Sequence, residues 1–318
     1  MPHVVCAYGE VGHEALAELL DMGADVGLVV THEDAPGEKI WFRSVAELAR
    51  SAGVPVVTPD DVNTDDSVAA IAAVRPDFLF SFYYRLMMKP RVLALPSRGA
   101  LNLHGSYLPR YRGRAPVNWV LVNGESETGV TLHEMDEKPD HGAIVAQRRI
   151  AIARDDTALT LTRKLAAESR LLLREVYPKL IDGSAPRIPQ DHRQSSYFGG
   201  RKPADGEIDW SRSAEAIRNL VRAVTDPWPG AFTTLEGRRV LVWWAETRPA
   251  GSAPSRGFAP GTVVADDRGD GALLVATGDG LLEIRDVAWD GGETTRGAAW
   301  ARAAGLAPGA RFATHTRG

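Results

Sequence analysis

The stretch His3 to Thr31, HVVCAYGEVGHEALAELLDMGADVGLVVT, decides the fold. It opens on a short β-rich run from His3 to Tyr8 and turns at Gly9 to Gly12. From His13 to Met22, residues Ala15, Leu16, Leu19 and Leu20 recur at helical spacing, and Gly23 is a stop signal. Val26 to Thr31 is a second apolar strand. Two apolar strands joined through a helix form the repeating unit of a parallel sheet, because a parallel return needs a crossover.

The same alternation continues outward. Ser44 to Ala52 reads as a helix stopped by Gly53, and Val54 to Val57 as a third strand. Asp65 to Val74 is helical, Phe78 to Phe82 is a fourth strand and Ala100 to His104 a fifth. Continuous apolar strands between helices indicate a sheet covered on both faces. A helix at Pro116 to Asn123, strands at Gly129 to Met135 and Ile144 to Ile152, and a long amphipathic helix from Thr157 to Tyr177, left near Pro178, complete this region. The chain turns polar and rich in Pro and Gly between Ser184 and Asp205, which sets a domain boundary near Ala204 and predicts domains 1–203 and 204–318. Beyond it, a helix at Ser213 to Val224 precedes short strands at Ala231 to Leu235, Arg239 to Ala245, Gly261 to Ala265, Ala272 to Ala276 and Leu281 to Val287, with a loose hairpin loop at Gly251 to Pro260. Short strands at that spacing predict a small β-barrel. The fold class is therefore α/β, a parallel-sheet domain followed by a small barrel domain.

Composition sets limits on partners. The chain has 318 residues, 44% hydrophobic and 25% charged, with a formal net charge of -4. No global basic field is available to draw nucleic acid or an acidic membrane. The single cysteine, Cys6, sits in an apolar strand and reads as a buried thiol, so nothing asks for an oxidising compartment. There is no secretion-signal pattern at the N-terminus, and no apolar run reaches the ~18 residues of a membrane helix. The expected location is the cytoplasm, without membrane insertion.

The chemistry concentrates between Asn102 and Asn118, NLHGSYLPRYRGRAPVN. Asn102 and His104 are two apart on a predicted strand, so both side chains share one face while Leu103 turns into the core. The strand ends in Gly105-Ser106, at the carboxyl edge where parallel sheets bind ligands. There an imidazole can move a proton near neutral pH, and an amide N–H can stabilise charge on a carbonyl oxygen. Asn-x-His alone is a weak signal, because a lone histidine is more often an ordinary structural residue.

Asn102-Leu-His-Gly-Ser with Leu108-Pro109, Tyr111-Arg-Gly-Arg-Ala-Pro, Asn123-Gly-Glu-Ser-Glu-Thr-Gly-Val-Thr and Asp140-His-Gly together resemble the folate-dependent formyltransferases. That family includes methionyl-tRNA formyltransferase and the sugar N-formyltransferases. Phe80-Ser-Phe-Tyr-Tyr-Arg85, Val117 to Glu125 and Asp226-Pro-Trp-Pro-Gly-Ala-Phe232 are most similar to the branch acting on UDP-4-amino-4-deoxy-L-arabinose in lipid A biosynthesis, the basis of polymyxin resistance. The resemblance runs over nearly the whole chain. It implies a Rossmann-like domain and an OB-like barrel, 10-formyltetrahydrofolate as co-substrate, no metal, and a UDP-sugar as acceptor.

The resemblance also implies roles. Asn102, His104 and Asp140 would be catalytic, with Asp140 orienting His104 and favouring its charged form, or relaying a proton to the leaving folate nitrogen. Folate contacts would come from Tyr84, Met87, Met88, Ser106, Leu108 and Asp136, and substrate contacts from Arg114, Asn118 and Arg201. An arginine suits a diphosphate through paired hydrogen bonds. The partners would be small molecules and other enzymes of the same pathway. Two positions depart from the family pattern. His141 stands where a small residue is usual, and is expected to face solvent. Tyr107 replaces a leucine, and would narrow the folate pocket. No part of the sequence fits the decarboxylase domain often fused to this branch, so that step is expected from another protein.

Other readings fare worse. Gly9-Glu-Val-Gly12 lacks the full dinucleotide fingerprint, and the second strand ends without a ribose-binding acid. A metal hydrolase built on His133, Asp136, Asp140 and His141 has no recognisable ligand spacing. The tRNA enzyme predicts a basic stripe, whereas Arg201-Lys202 is followed by Asp205, Glu207 and Asp209. A folate- or nucleotide-binding module without catalysis leaves the joint presence of Asn102, His104 and Asp140 unexplained.

Overall fold

The computed structural model describes residues 1–248, 257–265 and 271–313, which fall into two compact units. Most of the predicted hairpin loop at Gly251 to Pro260 lies outside the described residues.

The first unit comprises Met1–Pro116, Ser126–Ile152 and Thr160–Gly199. Its elements run β1 (Pro2–Ala7), α1 (Gly9–Asp21), β2 (Asp25–Val30), α2 (Val45–Ser51), β3 (Val56–Val57), α3 (Asp65–Val74), β4 (Phe78–Phe82), α4 (Pro90–Leu93), β5 (Ala100–His104) and β6 (Arg112–Gly113). After α5 (Pro116–Val122), which joins the second unit from Val117, come β7 (Glu127–Glu134), β8 (Ile144–Ala151), α6 (Ala158–Asp182) and β9 (Tyr197–Phe198). Seven strands form one sheet in the order β3-β2-β1-β4-β5-β7-β8. The first five are parallel, as the sequence predicts; β7 and β8 add on as an antiparallel pair, which needs no crossover helix.

Local sequence explains these boundaries. Ser44 caps α2 by accepting the Glu47 N–H, and Thr64 caps α3 by accepting that of Ser67. Every residue of β4 is buried, the mark of a strand covered on both faces. Val4, Cys6, Leu28, Val30, Ile71 and Leu79 form the core on one side. Burial pushes the Cys6 thiol well above its ordinary pKa, so it stays protonated. Gly12 lets α1 approach β4, since a Cβ there would lie 2.9 Å from the Phe82 carbonyl oxygen. One boundary differs from expectation: α6 continues through Pro178 to Asp182. Its apolar face, with Val176, Tyr177 and Leu180 buried, extends past the proline, and Arg98 donates to the carbonyls of Leu180 and Ile181. Packing outweighs the single lost helix bond.

The second unit comprises Val117–Glu125, Ala153–Leu159 and the chain from Gly200. It contains α7 (Ala214–Val224), β10 (Ala231–Leu235), β11 (Arg238–Arg248), β12 (Val263–Val264), β13 (Leu273–Ala276), β14 (Leu281–Trp289), β15 (Thr295–Arg296) and α8 (Gly297–Ala303). The strands make a curled antiparallel half-barrel in the order β10-β11-β14-β13-β12, with β15 on β14. Helix α7 buries Ile217, Val221 and Val224, while Arg218, itself 2% exposed, donates to Glu246 at 2.8 Å. Trp210 is fully buried against Phe312, its indole N–H given to Thr233 Oγ1 at 2.9 Å.

Candidate active site

The first unit carries a cleft of about 450 Å³ at the carboxyl ends of β4 and β5. Alternation along β5 points Asn102 and His104 to the same side, with Leu101 and Leu103 buried on the other. Antiparallel pairing sets Asn102 opposite His133 and His104 opposite Thr131. The loop between β7 and β8 then brings in Asp140, held in the left-handed region at φ +54°.

The His104 ring is oriented from behind. Its Nε2 lies 2.8 Å from the Tyr111 carbonyl oxygen. A carbonyl only accepts, so Nε2 carries the hydrogen and Nδ1 is the atom left for chemistry. That Nδ1 faces Asp140 Oδ1 at 3.5 Å. Asp140 Oδ2 accepts the Gly113 N–H at 2.7 Å. Gly113 is at φ +95°, and a Cβ there would collide with the Phe198 carbonyl, so only glycine lets this amide reach the carboxylate. Burial alone would raise the Asp140 pKa, but the imidazoles of His104 and His133 and the Gly113 N–H outweigh it and hold the carboxyl far below the usual range. The Asp140 loop is fixed by Gln190, which donates to the carbonyls of Asp140 and Gly142 at 2.9 and 2.7 Å and accepts from Arg112.

The three residues expected to be catalytic therefore converge. Tyr84, Met87, Met88 and Asp136 also line the cleft, as does Arg114. Met88 is at the same time a core residue, 5% exposed, whereas Met87 is 61% exposed. Ser106 and Leu108 do not line the cleft. Both are buried; Ser106 Oγ donates to the Arg110 carbonyl at 2.7 Å and shapes the loop from within. Asn118 and Arg201 belong to the second unit. There the Asn118 amide donates to the Ala223 carbonyl at 2.7 Å, and Arg201 lies over the Trp119 ring at 4.6 Å beside a separate cavity of about 460 Å³.

Both departures from the family pattern resolve differently from expectation. His141 does not simply face solvent: its Nδ1 is 2.8 Å from Asp136 Oδ2, and its ring stacks on His192 at 4.1 Å. Tyr107 does not narrow the cleft; it packs over Gly129, beneath the Arg149 guanidinium at 4.1 Å. Sequence reasoning gave no role to Gln190, to Tyr197, which is 62% exposed at the cleft, or to His133 beyond the metal reading. Among the described residues no three His, Cys, Asp or Glu side chains gather as a metal-ligand set. Only the period-two spacing of Thr131 and His133 on a predicted strand hinted that His133 shares the face of the site.

A buried carboxylate, an imidazole and an amide thus meet at one cleft. The family described as formyl transferase matches residues 8–176, and the formyl transferase C-terminal domain matches residues 201–305. The chain belongs to the formyl transferase family. Its fold is shared by WlaRD, a sugar 3N-formyl transferase solved with dTDP and 5-N-formyl-THF, at TM-score 0.67 and 20% identity over 89% of this chain and 96% of that one. The N-formyltransferase from Helicobacter canadensis, in complex with folinic acid and dTDP-3-aminofucose, matches at TM-score 0.64 and 18% identity over 89% and 97%. HypX from Aquifex aeolicus, solved with tetrahydrofolic acid, matches at TM-score 0.62 and 19% identity; 94% of this chain covers 46% of that longer one.

Proposed function

We propose that the chain moves the formyl group of 10-formyltetrahydrofolate onto the amine of a nucleotide-linked amino sugar, UDP-4-amino-4-deoxy-L-arabinose. The observation that carries the reading is the convergence of Asn102, His104 Nδ1 and Asp140 on one cleft. Two structural neighbours solved with a formylated folate and a dTDP compound support transfer to a sugar nucleotide. The choice of sugar comes from the sequence motifs, and with it a place in lipid A modification and polymyxin resistance; a cytoplasmic location goes with that reading.

The lining of the cleft supports a pterin as its occupant. Tyr84, Leu86, Met88 and Met135 give it apolar walls, and Asp136 adds an acceptor for ring N–H groups. The attacking amine must be neutral, and it loses a proton as its nitrogen bonds to the formyl carbon. His104 Nδ1 takes that proton, and the ionised Asp140 stabilises the resulting imidazolium. An Asn102 N–H, joined by the protonated His104, meets the formyl oxygen as charge builds on it. The carbon–nitrogen bond to the folate then breaks, and the proton held by His104 passes to the departing folate nitrogen, which restores the base. Arg114 lines the cleft, and we assign it to the diphosphate.

A substrate panel tests this. The chain is incubated with 10-formyltetrahydrofolate and UDP-4-amino-4-deoxy-L-arabinose, dTDP-3-aminofucose or charged initiator tRNA, and products are read by the mass gain of one formyl group. Formylation of the UDP-sugar is expected. Formylation of the dTDP-sugar alone would overturn the choice of sugar, and formylation of the tRNA alone would overturn the sugar reading.

A further inference from the structure

His133 is 2% exposed and stands directly across the strand pair from Asn102. Its Nδ1 lies 2.7 Å from the Glu134 carbonyl oxygen. The carbonyl can only accept, so Nδ1 bears the hydrogen, and in that tautomer Nε2 presents a lone pair. Asn102 Nδ2 is 3.1 Å from that Nε2 and 3.4 Å from Asp140 Oδ1. Both neighbours are acceptors. An amide turned over by half a revolution would set its own carbonyl oxygen against a lone pair on one side and a carboxylate on the other. The bond to His133 is the shorter one and anchors the group. The second N–H, at 3.4 Å from the carboxylate, is held loosely enough to meet another acceptor entering the cleft.

We propose that His133 is a positioning residue for formyl transfer: its Nε2 lone pair fixes the Asn102 amide so that an N–H, not the carbonyl oxygen, faces the reacting centre. The role rests on the reading of Asn102 as donor to the formyl oxygen. His133 touches no reacting atom; its Nε2 also lies 3.5 Å from Asp140 Oδ1, and the double-mutant cycle isolates the route through Asn102 from that one.

The test is a double-mutant cycle in the full chain, with the sugar nucleotide accepted in the panel. His133→Phe keeps a ring of similar size without an acceptor. It is expected to lower kcat at least ~10-fold, toward the 10²–10³ of a lost donor, with KM little changed. His133→Gln, whose side-chain oxygen can take the place of Nε2, recovers most of that loss. In an Asn102→Ala background, His133→Phe costs less than about twofold more, because the group it acts through is gone. If Asn102→Ala is crippled and His133→Phe still lowers the rate by its full factor, the positioning role is overturned. If Asn102→Ala turns over like the parent, the donor reading of Asn102 fails instead. An activity-independent check uses ¹⁵N-histidine-labelled protein near neutral pH, with the His133 signals identified by their loss in His133→Gln. A protonated Nδ1 and a bare Nε2 that shifts in Asn102→Ala are expected; a ring protonated at Nε2, singly or doubly, overturns the proposal.

Discussion

Replacing His104 separates chemistry from architecture, because its two ring nitrogens do different work. Nε2 donates to the Tyr111 carbonyl at 2.8 Å, and Nδ1 faces Asp140 Oδ1 at 3.5 Å. Glutamine carries an amide N–H at about the reach of Nε2 and nothing at Nδ1. His104→Gln therefore keeps the tether and removes the base, whereas His104→Ala removes both. Loss of a positioned general base lowers a rate by about 10²–10⁴, equivalent to about 2.7–5.4 kcal/mol at the barrier. Loss of the tether leaves the Tyr111 carbonyl without this donor in a buried setting, at a cost of about 1–3 kcal/mol in stability. His104→Gln should unfold in urea close to the parent midpoint and turn over at most about one hundredth as fast. His104→Ala should be equally slow and also less stable, while both retain folate affinity by calorimetric titration. A His104→Gln enzyme with more than about a tenth of the parental kcat would refute the assignment of Nδ1 as the base, since that nitrogen is the atom it lacks.

Other consequences are accessible to the same assays. The depressed pKa of Asp140 means its contribution to stability is full above the unfolded value of about 3.9 and fades as pH falls through the lower native value. Asp140→Asn should accordingly be less stable than the parent in neutral urea titrations, with the gap narrowing in acid, and a gap that widens in acid would contradict the sign. Ser106→Ala should cost about 0.5–1.5 kcal/mol through the lost bond to the Arg110 carbonyl and leave the folate KM unchanged, as befits a residue outside the cleft. Gly105→Ala places a methyl group into Tyr83 Oη. The displaced ring should raise the folate KM several-fold in steady-state kinetics with little change in the far-ultraviolet circular dichroism spectrum.

Much of this was legible from the chain. The strand–helix–strand period of His3 to Thr31 is local information, and the five parallel strands follow from it. Asn102 and His104 share a face through the period of two that any strand obeys. Asp140 came only through family resemblance, since no local rule joins a loop residue to a strand thirty-odd positions upstream. His133 was harder still. Its place depends on the antiparallel pairing of β5 with β7, a long-range register that no sequence window contains. Ser106 and Leu108 lie in the same motif as Asn102 and His104, yet fold inward, because the loop satisfies its own carbonyls with the serine hydroxyl. The proline in α6 failed as a stop signal for a related reason: a local breaker lost to buried side chains beyond it.

The backbone and the side chain of Asp140 pull stability in opposite directions. A residue with φ of +54° would sit there more comfortably as glycine, which meets no Cβ penalty in that region. The carboxylate offsets that cost, because its bond to the Gly113 N–H and its attraction to the neighbouring imidazoles are lost with the side chain. A glycine there trades relief of the backbone for the loss of those contacts, so consensus-based stabilisation of the enzyme is best begun elsewhere.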